Sequence, residues 1–247
     1  LNILKTITKK KLLVHFNEFY TKNNMLFIIS TGLDKEKIIR KFKSLTNKEK
    51  KVPACSFKIA KSGCFQNNKK IVYISEPQAK NTDICICFPL ELYINEKYYY
   101  HLDMVSSIVS GDLTSLILSV LRKKLNLVYG ASCFSITNMC GTVVYISVST
   151  LDKNIKKVIE NIFEICKLYS KKIIPTNKLL QVKRKYKMGI YQANLNSVKS
   201  VRNFYANQFL YQLNNKDRKV VTLNEKIKKV SSLTKEKTRQ IIKKIFD

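Results

Sequence analysis

Histidine and carboxylate side chains are scarce in this chain, and long apolar runs are missing. Its 247 residues include only two histidines, His15 and His101, too far apart to form a compact metal-binding pair on one helix. Ile84 to Ile94 and Leu113 to Leu121 are the most apolar runs, and both stop in charges or turn signals well short of the ~20 residues that span a bilayer. The amino terminus also lacks a continuous apolar signal segment. Against 17 acidic residues stand 46 basic ones, a formal charge of +29 that attracts polyanions without regard to their sequence. Arginine contributes little to it: Arg40, Arg122, Arg184, Arg202, Arg218 and Arg239 are the only ones, and the rest are lysines scattered among asparagines and isoleucines. Bidentate phosphate and base recognition favours arginine, so this pattern fits solvated faces better than a dedicated groove. Nonspecific nucleic-acid binding is therefore kept as a third functional class.

Cysteines number seven, at 55, 64, 85, 87, 133, 140 and 166, an odd total that cannot pair fully within the chain. Cys85, Cys133 and Cys166 stand in apolar contexts where a free thiol behaves as a small hydrophobe, so core thiols and a reducing intracellular compartment are expected. Cys85 and Cys87 share one side of a strand, which is not the spacing of a zinc knuckle. Cys55 with Cys64, and Cys133 with Cys140, are spaced to meet across hairpins, but no second short-spaced pair completes a zinc site.

What is present reads as alternating helices and strands. Thr8 caps a helix carrying Leu12, Leu13, Phe16 and Phe19, and an Asn23-Asn24 turn leads to a short strand, Met25 to Ser30. A second helix begins at Asp34 with Ile38, Ile39 and Phe42 on one side. Leu45 to Lys70, broken by Pro53 and Gly63, is polar and reads as a loop. Ile71 to Ile74 and Thr82 to Phe88 are strand candidates around a turn at Glu76-Pro77-Gln78. Tyr98 to Val109 reads as a helix burying Leu102, Val105, Ile108 and Val109, with His101 in a surface or boundary role. Val128 to Ile136 and Thr142 to Val148 form an antiparallel hairpin turning at Asn138 to Gly141, and Ile155 to Tyr169 is an amphipathic helix placed to cover it. A long helical stretch is expected to run from Pro175-Thr176 through Leu213. Leu223 to Val230 and Leu233 to Phe246, the latter capped by Ser232, complete a helical tail. The fold class is α+β, with helices packed on a mainly antiparallel sheet.

Residues Gly111 to Tyr129 carry the most specific pattern. An apolar helix ends near Arg122, Lys123 and Lys124, cations that suit a helix C-terminus, and Asn126 can take the left-handed backbone that turns the chain into a strand at Leu127. Gly111, Ser115, Leu121, Arg122, Leu127 and Tyr129 together resemble the second, non-zinc domain of the metallopeptidase family of pitrilysin, insulin-degrading enzyme and the mitochondrial processing peptidases. The departures are Leu116, where the family often has arginine, Lys123, where it often has glutamate, and Asn126, where it usually has glycine. The helix-strand-helix opening from Leu4 to Gly32 and the Thr-x-Lys-Leu-Leu start at Thr176 resemble the same domain.

That resemblance implies a single domain over residues 1–247, an excised or processed second half that shapes a chamber and grips an extended peptide, with zinc held by a homologous partner half. It implies Arg122 and Tyr129 as the catalytic pair in trans, and Asp83 to Phe88 as the strand where a peptide backbone would be held. No cofactor or metal site is expected within this chain. His15 to Phe19, His-Phe-Asn-Glu-Phe, imitates the family's His-x-x-Glu-His motif but has phenylalanine at the second ligand, so His15 and Glu18 read as ordinary helix positions. The runner-up function is a non-catalytic scaffold or core subunit of the same fold, as in respiratory-complex relatives.

Overall fold

The structure, a computed structural model, describes residues 2–21, 24–46, 71–90, 99–138, 141–214 and 219–246. In chain order it contains α1 (Asn2–Lys5), α2 (Lys9–Phe19), α3 (Lys35–Thr46), β1 (Thr82–Leu90), α4 (Tyr99–Ser110), α5 (Leu116–Leu121), β2 (Val128–Asn138), β3 (Gly141–Thr150), α6 (Ile155–Lys171), α7 (Thr176–Asn196), α8 (Val198–Asn214), α9 (Leu223–Ser231) and α10 (Lys235–Phe246). The chain folds as two compact units, Leu1–Lys58 with Ser197–Leu210, and Ile59–Asn196 with Tyr211–Asp247. The polar stretch expected as a loop between Leu45 and Lys70 lies almost wholly outside the described residues, as do Cys55, Cys64 and Cys140.

The first unit is helical. Thr8 Oγ1 accepts from the Lys11 N–H at 3.3 Å and so caps α2, which ends at Tyr20 as the sequence predicts. Along α2, aromatic rings meet at helical spacing, His15 on Phe19 and Phe16 on Tyr20. Asp34 Oδ1 caps α3 through the Lys37 N–H at 2.9 Å, and Ile38, Ile39 and Phe42 are half-buried. Between these helices Met25 to Ser30 is not a strand. Apolar content specified an extended segment there, but a ladder also needs a partner edge, and among the described residues it has none; Phe27 packs instead on Phe42. The helical stretch expected from Pro175 to Leu213 divides at Ser197 into α7 and α8. That residue leaves the helical ladder, and its Oγ accepts from the Ser200 N–H to cap α8.

The second unit is built on a three-stranded antiparallel sheet in the order β1-β3-β2. Register pairs Ile86 with Ile146 and Cys133 with Ile146, so Ile84, Ile86 and Phe88 of β1 share a face with Val144, Ile146 and Val148 of β3 and Ala131 and Cys133 of β2. This face holds the core. Helix α4 crosses β2 with Leu102, Val105, Ile108 and Val109 buried, α10 brings Ile241, Ile242 and Ile245, and α6 lies along α10 with Val158, Ile162, Ile165 and Cys166 inward. Phe88 meets the edge of Phe246 at 4.8 Å and of Phe163 at 6.5 Å, joining the sheet to both helices.

Several sequence expectations change in this unit. Ile71 to Ile74 is no strand and is open to solvent, Ile71 being 97% exposed, because among the described residues no edge receives it. His101 is buried, 4% exposed, with Nε2 2.8 Å from the Lys229 carbonyl oxygen of α9. It shares the helical face of Val105, Ile108 and Val109, a phase that outweighs its polarity once a carbonyl partner is supplied. Cys85 and Cys87 are exposed rather than core thiols, since strand alternation turns them away from Ile84, Ile86 and Phe88. Finally, Thr234, not Ser232, caps α10 by accepting from the Lys237 N–H, while Ser232 closes α9 by donating to the Lys229 carbonyl. Cys133 and Cys166 do face inward, and burial pushes both thiols up to about 12.

Candidate functional site

The site is built from residue 111 onward by a close approach. A Cβ on Gly111 would sit 2.6 Å from the Ser107 carbonyl oxygen, so the chain leaving α4 can turn this tightly only with glycine. Asp112 then folds the loop on itself: its Oδ1 accepts from the Thr114 N–H at 2.8 Å and from the Thr114 hydroxyl at 2.6 Å, and its carbonyl accepts from the Ser115 N–H at 2.9 Å. This turn takes up residues 112–115, so the helix predicted from Leu113 begins only at Leu116.

Helix α7 pins that turn. Lys178, only 8% exposed, donates from Nζ to the Thr114 carbonyl at 2.6 Å and to the Thr114 hydroxyl oxygen at 2.7 Å, with Asp112 Oδ1 at 3.6 Å. Lys185, about two turns further on, pairs with Asp112 Oδ2 at 3.4 Å. Burial alone would raise the Asp112 carboxyl, but the two Thr114 hydrogen bonds and the Lys178 charge outweigh it and hold the group at about 2. Burial lowers the Lys178 ammonium, partly offset by Asp112. A second polar link, the Tyr186 hydroxyl donating to Asp103 Oδ2 at 2.8 Å, ties α7 to α4. Burial, then the neighbouring carboxylate, keeps that phenol far above its ordinary range.

Helix α5 ends as its sequence dictates. Ile117, Leu118 and Leu121 are buried, the Arg122 N–H closes on the Leu118 carbonyl at 3.1 Å, and Asn126 adopts a left-handed φ of 49°. The Leu127 N–H reaches back to the Leu121 carbonyl at 2.7 Å, and the Leu127 carbonyl accepts from the buried Thr150 hydroxyl at 2.5 Å. Asn126 thus makes the left-handed turn, and β2 starts where the spacing predicts.

Tyr129 sits at the irregular point of β2. Val128 lies opposite Thr150 and Gly130 opposite Ser149, which leaves Tyr129 as the extra residue of a bulge. Bulges re-aim side chains, and this one leaves the Tyr129 ring 64% exposed. Arg122, at the end of α5, is exposed as well. Beyond the bulge, the sheet face away from the core carries the stacked rings of Phe134 and Tyr145, 5.1 Å apart, with Ile136 exposed beside them. Strand β1 pairs only with β3 among the described residues, so it is an edge strand.

The zinc-motif imitation in α2 offers no metal chemistry. The Phe19 ring packs 4.4 Å from the His15 ring, and a phenyl group cannot ligate a cation. Among the described residues no three His, Cys, Asp or Glu side chains gather as a metal site, and no helix is long and apolar enough to cross a membrane.

Residues 6–186 match the family model described as the peptidase M16 inactive domain. The chain belongs to this family. No functionally curated protein matches it. Among solved structures, a protease from Helicobacter pylori is similar over 98% of this chain and 57% of its own, with 14% identity and a TM-score of 0.82. The M16 inactive domain from Pseudomonas fluorescens is similar over 98% and 56%, with 16% identity and a TM-score of 0.75. A chain of complex III2 from Candida albicans follows at 97% and 56%, 14% identity and 0.70. The present M16 inactive-domain chain therefore spans a little over half the length of these three structures, and at these identities the likeness shows the fold.

Sequence reading missed Asp112, Thr114 and Lys178 as a network. Asp-Leu-Thr before an apolar run is an Asx-turn signature and was legible in principle. That Lys178 would be buried against it depends on how α7 packs and leaves no local trace.

Proposed function

We propose that this chain is the substrate-gripping, chamber-forming half of a zinc metallopeptidase acting on peptides, paired with a homologous zinc-bearing half upstream or in another subunit. The observation that carries this reading is the exposed Tyr129, released by a bulge seven residues after Arg122, in a chain of the M16 inactive-domain family. Zinc in the partner half would supply the Lewis acid and the activated water. Tyr129 would donate its hydroxyl to the carbonyl oxygen as negative charge develops, a task suited to a phenol that stays neutral while donating. Arg122 would orient the peptide with its planar fork of donors. An extended substrate would lie along the open edge of β1, held through its backbone, with pockets beside it setting specificity. One domain over 1–247 is the organisation we assign, and the four described free cysteines suit a reducing compartment.

The test is reconstitution with the zinc-bearing half, with assembly verified. The chain alone should hydrolyse nothing. Tyr129→Phe should preserve folding and peptide binding and lower turnover by roughly 10²-fold or more, the scale of losing one oxyanion donor. Arg122→Lys should impair positioning more than stability. Equal turnover in wild type and both variants would overturn the assigned roles. The likeness to a chain of complex III2 favours a second reading, a non-catalytic scaffold subunit, which an absent or defective His-x-x-Glu-His helix in both parent polypeptide and partner would select.

A further inference from the structure

We infer that Cys85 and Cys87 form a surface dithiol site for a single thiophilic monovalent cation, copper(I), with one coordination position left open to an external thiol. This goes beyond the peptidase reading and does not depend on it. Three observations carry it. The two side chains leave the same face of β1 and are exposed, and their sulfurs are 4.0 Å apart without a covalent bond. Two metal–thiolate bonds of about 2.3 Å at a trigonal angle subtend about 4.0 Å between sulfurs, so the pair already has the span of a three-coordinate edge. The strand fixes it: Cys85 and Cys87 lie opposite Ser147 and Tyr145 in the β1–β3 ladder, which holds the backbone on which both sulfurs stand.

The number of ligands selects the ion. Structural zinc asks for four, and among the described residues no third His, Cys, Asp or Glu joins this pair. Soft thiolates with low coordination number favour copper(I). Binding is an exchange in which both S–H bonds break, two sulfur–copper bonds form, and two protons pass to solvent, leaving an anionic copper dithiolate without change of oxidation state. The chain's +29 favours the anionic product.

The experiment titrates the purified reduced 247-residue chain into a chromophoric copper(I) chelate complex under anaerobic conditions and follows loss of the chelate colour. Wild type should withdraw one equivalent more than Cys85→Ser/Cys87→Ser. Cys87→Ser alone should weaken that equivalent about 100-fold or more, since one thiolate loses the chelate advantage. Independently of any variant, copper(I) should protect Cys85 and Cys87 of the wild-type chain from alkylation, read by peptide mapping. Equal uptake by wild type and a folded double variant, or unprotected Cys85 and Cys87 at one equivalent of copper, would overturn the site.

Discussion

The Lys178 ammonium donates to the Thr114 carbonyl at 2.6 Å, and this contact between α7 and the loop before α5 sets the start of the segment that ends at Tyr129. Lys178→Met keeps the apolar stem and removes the donor, leaving the Thr114 carbonyl without its ammonium partner and Asp112 with Lys185 as its remaining cation. A loss of about 1–3 kcal/mol is expected in urea unfolding, below the cost of breaking a fully buried pair because Asp112 is partly open to water. An unchanged midpoint would mean that packing alone holds the loop.

The same carboxylate gives the acid limb of stability a signature. The Asp112 carboxyl is depressed to about 2 in the folded state, against ~3.9 unfolded, so its contribution is present above pH ~4 and fades as pH falls toward 2. Asp112→Asn should therefore cost about 1–2 kcal/mol at pH 7 and progressively less between pH 4 and pH 2. A difference that stays constant across that range would assign the effect to something other than ionisation.

Glycine at 111 is a matter of space rather than of backbone angle. Gly111→Ala places a methyl group 2.6 Å from a backbone oxygen that cannot swing aside, and should destabilise by about 1–3 kcal/mol. Gly130→Ala, where nothing lies within 4 Å of the new carbon, is the control and should change stability little. Thermal unfolding of both distinguishes the steric cost from a general intolerance of alanine.

Affinity for nucleic acid, where measured, should be phosphate attraction that collapses with salt. Duplexes of unrelated sequence should bind alike and lose affinity together between ~50 and ~200 mM salt. Discrimination between sequences at the higher salt would require a reading element that the lysine-dominated charge does not supply.

Elements defined by their own residues were legible in the sequence. The buried face of α4, the alternation of Val144, Ile146 and Val148, the cap at Thr8 and the left-handed Asn126 all follow from periods and turn chemistry within a few residues. Elements that require a distant partner were not. Met25 to Ser30 and Ile71 to Ile74 look like strands because ladder partners are not written in the strand itself. His101 was misplaced for the converse reason, its acceptor at Lys229 being remote in sequence. Arg122 and Tyr129 were singled out by resemblance to a family pattern, whereas the Asp112–Lys178 contact came only with the packing of α7.

The bulge in β2 also bears on how position 129 can change over time. Residues on either side of it are tied to the core, Val128 by burial and Cys133 by facing Ile146. The extra residue answers to neither demand, so replacing Tyr129 with almost any side chain leaves the fold's free energy nearly unchanged. Selection on stability is blind there, and a tyrosine that persists among descendants of this sequence would do so on account of what touches it from outside.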